Sequence, residues 1–292
     1  MARAITSRQS ELALRQMQVS SGNRRQVRSE GIADAADAAA AKRGQALDLQ
    51  WKRNAEAAKT WLQVSEGRIQ ECLDVSQRVR ELAIMATDAG KMPIERIHAA
   101  EEVDGLLENL AAVANTRYGD RYLFGGLGGV APVSVDRDES GRIASITVDP
   151  KASGQTTVQV SESSTLPVGA AATGPDGLFG NAEGRSFFDV LIDVRNALMA
   201  GQAPPGELVA GVEQASDNVA DRLVSCGLDQ ARLEQLGEHY ADRAVLHVQR
   251  LSDLQDTDLA EALTDISRLE AALEASIQMT VRIQGLSLVS FL

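Results

Sequence analysis

All seven prolines lie between residues 93 and 205: Pro93, Pro132, Pro150, Pro167, Pro175, Pro204 and Pro205. Inside a helix a proline removes a backbone donor, clashes with the preceding turn and costs about 3 kcal/mol. The proline-free stretches 1–92, 94–131 and 206–292 therefore permit long helices at both ends of the chain. Composition points the same way. The chain is 44% apolar but only 3% aromatic, so its apolar surface is mostly Ala, Leu, Val and Ile. That suits helices packed through small knobs better than a compact enzyme core with aromatic anchors.

Periodicity supplies the positive signal. Trp51, Ala55, Ala58, Leu62, Ser65, Ile69, Cys72, Ser76, Val79, Ala83 and Ala86 follow one another alternately four and three apart, as in a heptad seam. Trp61, Leu73 and Leu82 widen that seam, so the helix is expected to meet more than one neighbour. Gly90 and Pro93 end it, and a second helix is predicted from about Ile94 to Asn115, seamed by Ile97, Val103, Leu107, Leu110 and Ala114. The short joint between them makes the two antiparallel. A long C-terminal helix follows Val212, Ala215, Val219, Leu223, Cys226, Leu233, Leu236, Tyr240 and Ala244. A last one follows Leu259, Ala262, Ile266, Leu269, Leu273, Ser276, Thr280 and Ile283, with Asp258 and Glu261 placed to cap its start.

Residues 127–185 are a different material, punctuated by glycine and carrying four of the prolines. Ile143–Val148 alternates and reads as a strand; Thr156–Val160 is a second. Asp138-Glu139-Ser140-Gly141 and Gly174-Pro175-Asp176-Gly177 read as turns. Phe187–Ile192 then leads into a helix ending near Ala200-Gly201. The predicted fold is mainly α, a long antiparallel helical bundle or coiled coil built from both chain ends, with a small β-rich insert in the middle.

The two termini are unusual. Net charge is −12. Residues 1–43 carry eight basic and four acidic side chains, a balance of +4 that leaves −16 for the rest. An acidic body argues against nucleic-acid binding. Residues 1–43 are expected to be an arm that is disordered in the monomer and ordered on assembly, because nothing in them could bury enough area alone to offset backbone entropy of about 1–2 kcal/mol per residue. The chain ends on Leu286-Ser287-Leu288-Val289-Ser290-Phe291-Leu292, apolar and uncharged where termini are ordinarily polar. It has no run of 18 apolar residues and no apolar core of a secretory signal near its start. Neither membrane insertion nor a cleaved leader is expected.

Catalytic patterns are missing. His98, His239 and His247 form no metal motif, and His239 and His247, eight apart on one helix, read as surface or satisfied side chains. Asp253, Asp256 and Asp258 lack the spacing of a calcium loop. The glycines around Gly125–Gly129 are followed by no Lys-Ser/Thr and read as a hinge, not a phosphate loop. Cys72 and Cys226 fall on helical seams and read as buried thiols. No catalytic residue, cofactor or metal ligand is assigned.

Ala114-Asn115-Thr116, Gly119 and Tyr122-Leu123-Phe124-Gly125-Gly126 resemble a stretch of the flagellin family of axial proteins, in the form carried by its hook–filament junction members. Val79–Ala83 is similar to the family helix that precedes it, and Ser21-Gly22-Asn23-Arg24 resembles its Thr-Gly-Lys-Arg segment. Leu251-Ser252-Asp253, Asp256 through Ala262 and Gly285-Leu286-Ser287-Leu288 are similar to the C-terminal signature. Where the family has a Ser-Asp-Asp-Pro-like run, this chain has Ser29-Glu30-Gly31-Ile32.

The resemblance implies a non-enzymatic subunit of the extracellular flagellum, passed through the flagellar type III apparatus. It would assemble into a junction ring, between a hook-associated protein on one side and flagellin on the other, and an export chaperone would hold its C-terminal helix. Domains are expected at 1–43 (assembly and export arm), 44–126 (N-terminal helices), 127–185 (insert) and 186–292 (C-terminal helices). The assembly interface is placed on Ile266, Leu269, Leu273, Ile277, Ile283, Leu286, Leu288, Phe291 and Leu292. Tyr122, Leu123, Phe124, Gly125 and Gly126 are the joint to the insert, with Tyr122 and Phe124 as wedges. A short flagellin forming the filament itself is the alternative, and an intracellular coiled-coil adaptor a remote one.

Overall fold

The computed structural model describes residues 2–23, 32–88, 90–175, 177–180 and 185–289. It separates into two compact units, residues 1–49 with 241–292 and residues 50–240. The helices are α1 (Ala2–Ser21), α2 (Ile32–Ala86), α3 (Pro93–Ala114), α4 (Phe187–Met199), α5 (Gly206–Gln255) and α6 (Leu259–Val289). Between α3 and α4 come β1 (Arg117–Tyr118), β2 (Arg121–Tyr122), β3 (Val133–Arg137), β4 (Ile143–Val148), β5 (Thr156–Gln159) and β6 (Thr165–Val168). This is the helical protein with a middle β insert that the sequence predicts. α2 and α5 each contribute to both units.

In the 50–240 unit every residue of the first seam is buried, the polar Ser65 and Ser76 included. The serines survive there because Ser65 Oγ donates back to Trp61 O (2.9 Å), and Ser76 Oγ donates to Leu73 O (2.7 Å) and is hydrogen-bonded with Ser216 Oγ (3.1 Å). α5 lies antiparallel to α2. The partners run in opposite directions from Lys59–Glu234 to Arg80–Glu213, with Cys226 and Gln230 meeting Leu62 O and Glu66 between them. α3 packs on α4, where Asp104 meets the buried Arg195 at 2.7 Å and Arg195 also donates to Ile143 O at 2.6 Å. One guanidinium thereby ties α3, α4 and β4 together. α4 starts on a capping box in which Ser186 and Asp189 satisfy each other's backbone N–H groups (3.1 and 3.0 Å).

The strands form three separate antiparallel pairs: β1 with β2, β3 with β4, β5 with β6. β4 occupies the span predicted for it, and β5 ends one residue short of the predicted second strand. In the β3–β4 register Val133 pairs with Val148 and Val135 with Ile146, and a bulge at Asp136/Arg137 lets the strand turn away. β6 contains Pro167, tolerated because a two-stranded ladder is all edge. Four of the five phenylalanines, Phe124, Phe179, Phe187 and Phe188, are fully buried where the insert meets the helices. Phe124 and Phe179 meet edge to face at 6.0 Å, and Phe179 lies 5.0 Å from Phe188. The sparse aromatic content is thus concentrated at one junction.

One expectation is corrected. Residues 1–43 read as an unstructured arm, yet α1 covers Ala2–Ser21 and α2 already starts at Ile32. Alone, the arm has too little apolar area to fold. α1 instead contacts α6, which supplies the burial that the arm lacks by itself.

Candidate assembly surface

α1 and α6 pair antiparallel within the terminal unit. On α1 the half-buried positions Ile5, Arg8, Leu12, Arg15 and Val19 recur three and four apart, a heptad seam within the segment expected to be an arm. Arg15 pairs with Asp265 at 3.2 Å; Arg8 donates to Ala272 O at 3.1 Å and to Ser276 Oγ. At the open end, Thr257 N–H donates to Gly22 O at 3.0 Å and Asn23 forms an antiparallel bridge with Asp256. Two segments singled out by motif alone, Ser21–Asn23 and Asp256–Asp258, are therefore joined. Asp258 then caps α6, its Oδ1 accepting from Ala260 N and Glu261 N at 2.9 and 3.1 Å.

Of the predicted interface residues, Ile266, Leu269 and Leu273 are half-buried on α6, and Ile277 is exposed. Ile283, Leu286 and Leu288 belong to α6, but their side chains lie outside the described residues, as do Phe291 and Leu292 altogether. Leu259, placed on the seam by spacing, is instead half-exposed, because it sits in the first turn beside the capping Asp258. The spacing also missed further exposed apolar residues. Leu263, Met279 and Val281 on α6 and Val245, Leu246 and Val248 on α5 are each more than half exposed. Apolar residues flanking the seam were the available signal.

The same unit holds a buried carboxylate. Asp48 on α2 is fully buried; its Oδ2 lies 3.1 Å from Arg243 Nε and 3.1 Å from His247 Nε2, both on α5. His247 is thus a satisfied histidine. It fits only because residue 44 is glycine: a Cβ there would stand 2.7 Å from the imidazole Cε1. Gly44→Ala gains about 1 kcal/mol of helix propensity. It also pushes His247 off a buried carboxylate, a loss of about 1–3 kcal/mol. The variant is expected to open the terminal unit more readily, seen as faster hydrogen exchange in residues 36–49 and 241–255; unchanged or slower exchange refutes this.

At the joint, Leu123 and Phe124 are the buried wedges, while Tyr122 ends β2 half-buried beneath the Arg117 guanidinium, 4.9 Å from its ring. Gly125 and Gly126 do more than permit a turn. A Cβ on Gly125 would meet Val130 O at 2.7 Å; one on Gly126, at φ +57°, would meet Ser153 O at 2.4 Å. Backbone therefore packs on backbone here. Asn115, just past α3, clamps the insert from the other side: its amide donates to Val133 O at 2.9 Å and accepts from Val133 N at 3.1 Å. The Ala114–Gly126 stretch is legible in these terms as one docking joint.

Among the described residues no group of His, Cys, Asp and Glu is arranged to hold a metal, and no helix is long and apolar enough to cross a membrane. Cys72 and Cys226 are buried free thiols, and burial pushes both upward from the ordinary thiol range. Both are expected to resist an aqueous thiol reagent in the native chain and to react together in denaturant. Prompt native labelling of either would show that its helix seam opens.

Two family models match the chain: the bacterial flagellin N-terminal helical region over residues 1–128 and the bacterial flagellin C-terminal helical region over residues 209–292. The chain belongs to the flagellin family. This flagellin-family chain is 26% identical over 302 residues to flagellar hook-associated protein 3 of Escherichia coli (strain K12), covering 98% of itself and 94% of that protein. To the flagellar filament 30.7 kDa core protein of Treponema maltophilum it is 21% identical over 230 residues, covering 79% and 73%. Among solved structures, flagellar hook-associated protein-3 of Legionella pneumophila superposes with a TM-score of 0.63 at 16% identity, covering 74% and 98%, which shows a shared fold. The two matched regions contribute the α1–α6 pair, one helix each.

Proposed function

We propose that this flagellin-family chain is a structural subunit of the bacterial flagellum, outside the cell, that joins the filament to the hook. The near end-to-end match with hook-associated protein 3 carries the reading; the filament protein matches over a shorter share of both chains. Its role is scaffolding, with no catalysis. On this reading copies of the chain form a ring, a hook-associated protein lies on one side and flagellin on the other. α6 with its exposed Leu263, Ile277, Met279 and Val281 is the segment that meets neighbouring subunits. Before assembly the same apolar row would favour aggregation, which supports a chaperone on the C-terminal helix and passage through the flagellar type III apparatus.

Deleting the chain is the direct test. Intact hooks with flagellin spilled into the medium are expected; normal filaments would refute the reading. If purified chain polymerises readily into long filaments, the shaft-forming alternative replaces it. A finer prediction concerns the apolar tip. Removing Leu286–Leu292 is expected to leave a helical, folded 50–240 unit by circular dichroism and to abolish incorporation into flagella. Filament growth supported by the truncated chain would show that the tip takes no part.

A further inference from the structure

The start of α2 carries almost no information about what it should pack against. Six of the seven residues from 35 to 41 are alanine, and the buried Ala38 and Ala41 offer a partner helix only methyl groups. Such a face fits one apolar helix as well as another. Wrong partners are at hand. Val245, Leu246 and Val248 on α5 and Leu263, Met279 and Val281 on α6 are each more than half exposed, and every further copy of the chain brings the same set.

The seam changes character one turn on. Ala41, Gly44 and Asp48 follow one another three and four apart, which puts a fully buried carboxylate on a seam position. On α5, Arg243 and His247 stand four apart in a half-buried stripe that continues through Leu251 and Leu254. Both meet the same oxygen, Asp48 Oδ2, at 3.1 Å. Oδ1 is buried with no hydrogen-bond partner among the described residues, so the charge depends on those two side chains. Gly44 adds a requirement of shape, since its missing Cβ makes the room for the imidazole. The seam serine Ser65 of the 50–240 unit works otherwise: it bonds to Trp61 O of its own helix and asks nothing of a partner. The α1–α6 pair repeats the terminal pattern. Along α1 the apolar Ile5, Leu12 and Val19 alternate with Arg8 and Arg15, which reach Ser276 and Asp265 on α6.

Stability does not account for such a layer. A buried ion pair exchanged for apolar side chains of similar volume is often neutral or stabilising, whereas one polar group on a helix seam fixes which helices pair and in what register. Against an apolar helix Asp48 would be buried without a cation, a penalty that falls on wrong partners alone. We infer that the Asp48–Arg243–His247 layer is a pairing selector. It admits α5 to the start of α2, in the register that brings Arg243 and His247 to Asp48, and rejects the exposed apolar helix faces of other copies. The chain's own α5, being tethered, arrives ahead of another copy's. The selector acts on any neighbouring copy, whether or not the chain sits at the hook–filament joint.

Sedimentation velocity of the purified full chain over a concentration series, with hydrogen exchange on the same samples, tests it. The variant carries Asp48→Val, Arg243→Leu and His247→Leu together. Exchange protection of residues 36–49 and 241–255 is expected to be kept, while self-association strengthens at least about tenfold over the wild-type chain, because nothing polar now opposes wrong pairing. Kept protection with unchanged association overturns the selector. Lost protection also overturns it, since the layer is then needed to hold the unit together and not to choose its partner. Asp48→Asn keeps the shape and lowers the penalty of wrong burial, so its association is expected to fall between the two. A wild-type value there overturns the role given to the charge. Ser65→Ala with Ser76→Ala adds apolar surface to a seam without touching the layer and is expected to leave association unchanged; a rise matching the triple variant's refutes the inference.

Discussion

Replacing Phe124 by alanine is expected to lower the unfolding free energy of the 50–240 unit by about 3–5 kcal/mol. The ring is fully buried and lies edge to face with Phe179, which in turn touches Phe188. Truncation removes the transfer free energy of a phenyl group and leaves a void that backbone cannot close. Leu123 N–H is bonded to Thr116 O and Phe124 O accepts from Ala172 N, both at 3.0 Å, so the main chain is held on either side. Gly125 and Gly126 already sit in contact with opposing backbone. Phe124→Leu, which refills part of the volume, is expected to recover a good share of the loss. Both tryptophans, Trp51 and Trp61, belong to this unit, so tryptophan fluorescence in a denaturant titration follows its transition. A loss below about 1 kcal/mol for Phe124→Ala would mean that the insert docks without this ring.

The second large effect is electrostatic. Asp104→Ala strands the Arg195 guanidinium, whose side chain is only 7% exposed. Breaking a buried pair by removing one partner costs about 3–5 kcal/mol, because the remaining charge keeps its desolvation penalty. Arg195 retains Ile143 O and the side chain of Asn196, which accept hydrogen bonds but supply no counter-charge. Asp104 is 21% exposed and can be hydrated, so Arg195→Leu is expected to cost less than Asp104→Ala. The double variant is expected to cost less than the two singles summed, with a coupling of about 0.5–3 kcal/mol. Strict additivity in the same titration would show that the two side chains do not act as a pair.

Much of this architecture was legible because it obeys local rules. The four-three spacing from Trp51 to Ala86 named a seam in which every side chain is buried. Ile143–Val148 announced itself by alternation and by the Asp149-Pro150 that stops it. Three features were not legible, each for a physical reason. The helicity of α1 depends on α6, a partner more than 200 residues away, and composition alone describes an isolated arm. The Arg117–Tyr122 hairpin is two residues per strand, too short to alternate, so it read as punctuation. The Asp48 cluster joins residues 199 apart, and no spacing rule pairs an aspartate with a distant histidine. On α6 the exposed Leu263, Met279 and Val281 fall between the positions of the four-three repeat.

The α1–α6 pair has a consequence in time. Arg8 meets Ala272 across a separation of 264 residues. On a ribosome, or in any passage that runs from the N-terminal side, α1 emerges long before its partner α6. Through most of its synthesis the amphipathic start of the chain is an orphan. Closing so long a loop is slow to become favourable, though its entropic cost grows only logarithmically, by about 0.6 kcal/mol per doubling. The Asp48–Arg243–His247 cluster shortens the wait. Once it forms, the gap left to close runs only from Asn23 to Asp48 on one arm and from Arg243 to Asp256 on the other. A chain pinned at that carboxylate would have only two short arms left to bring together.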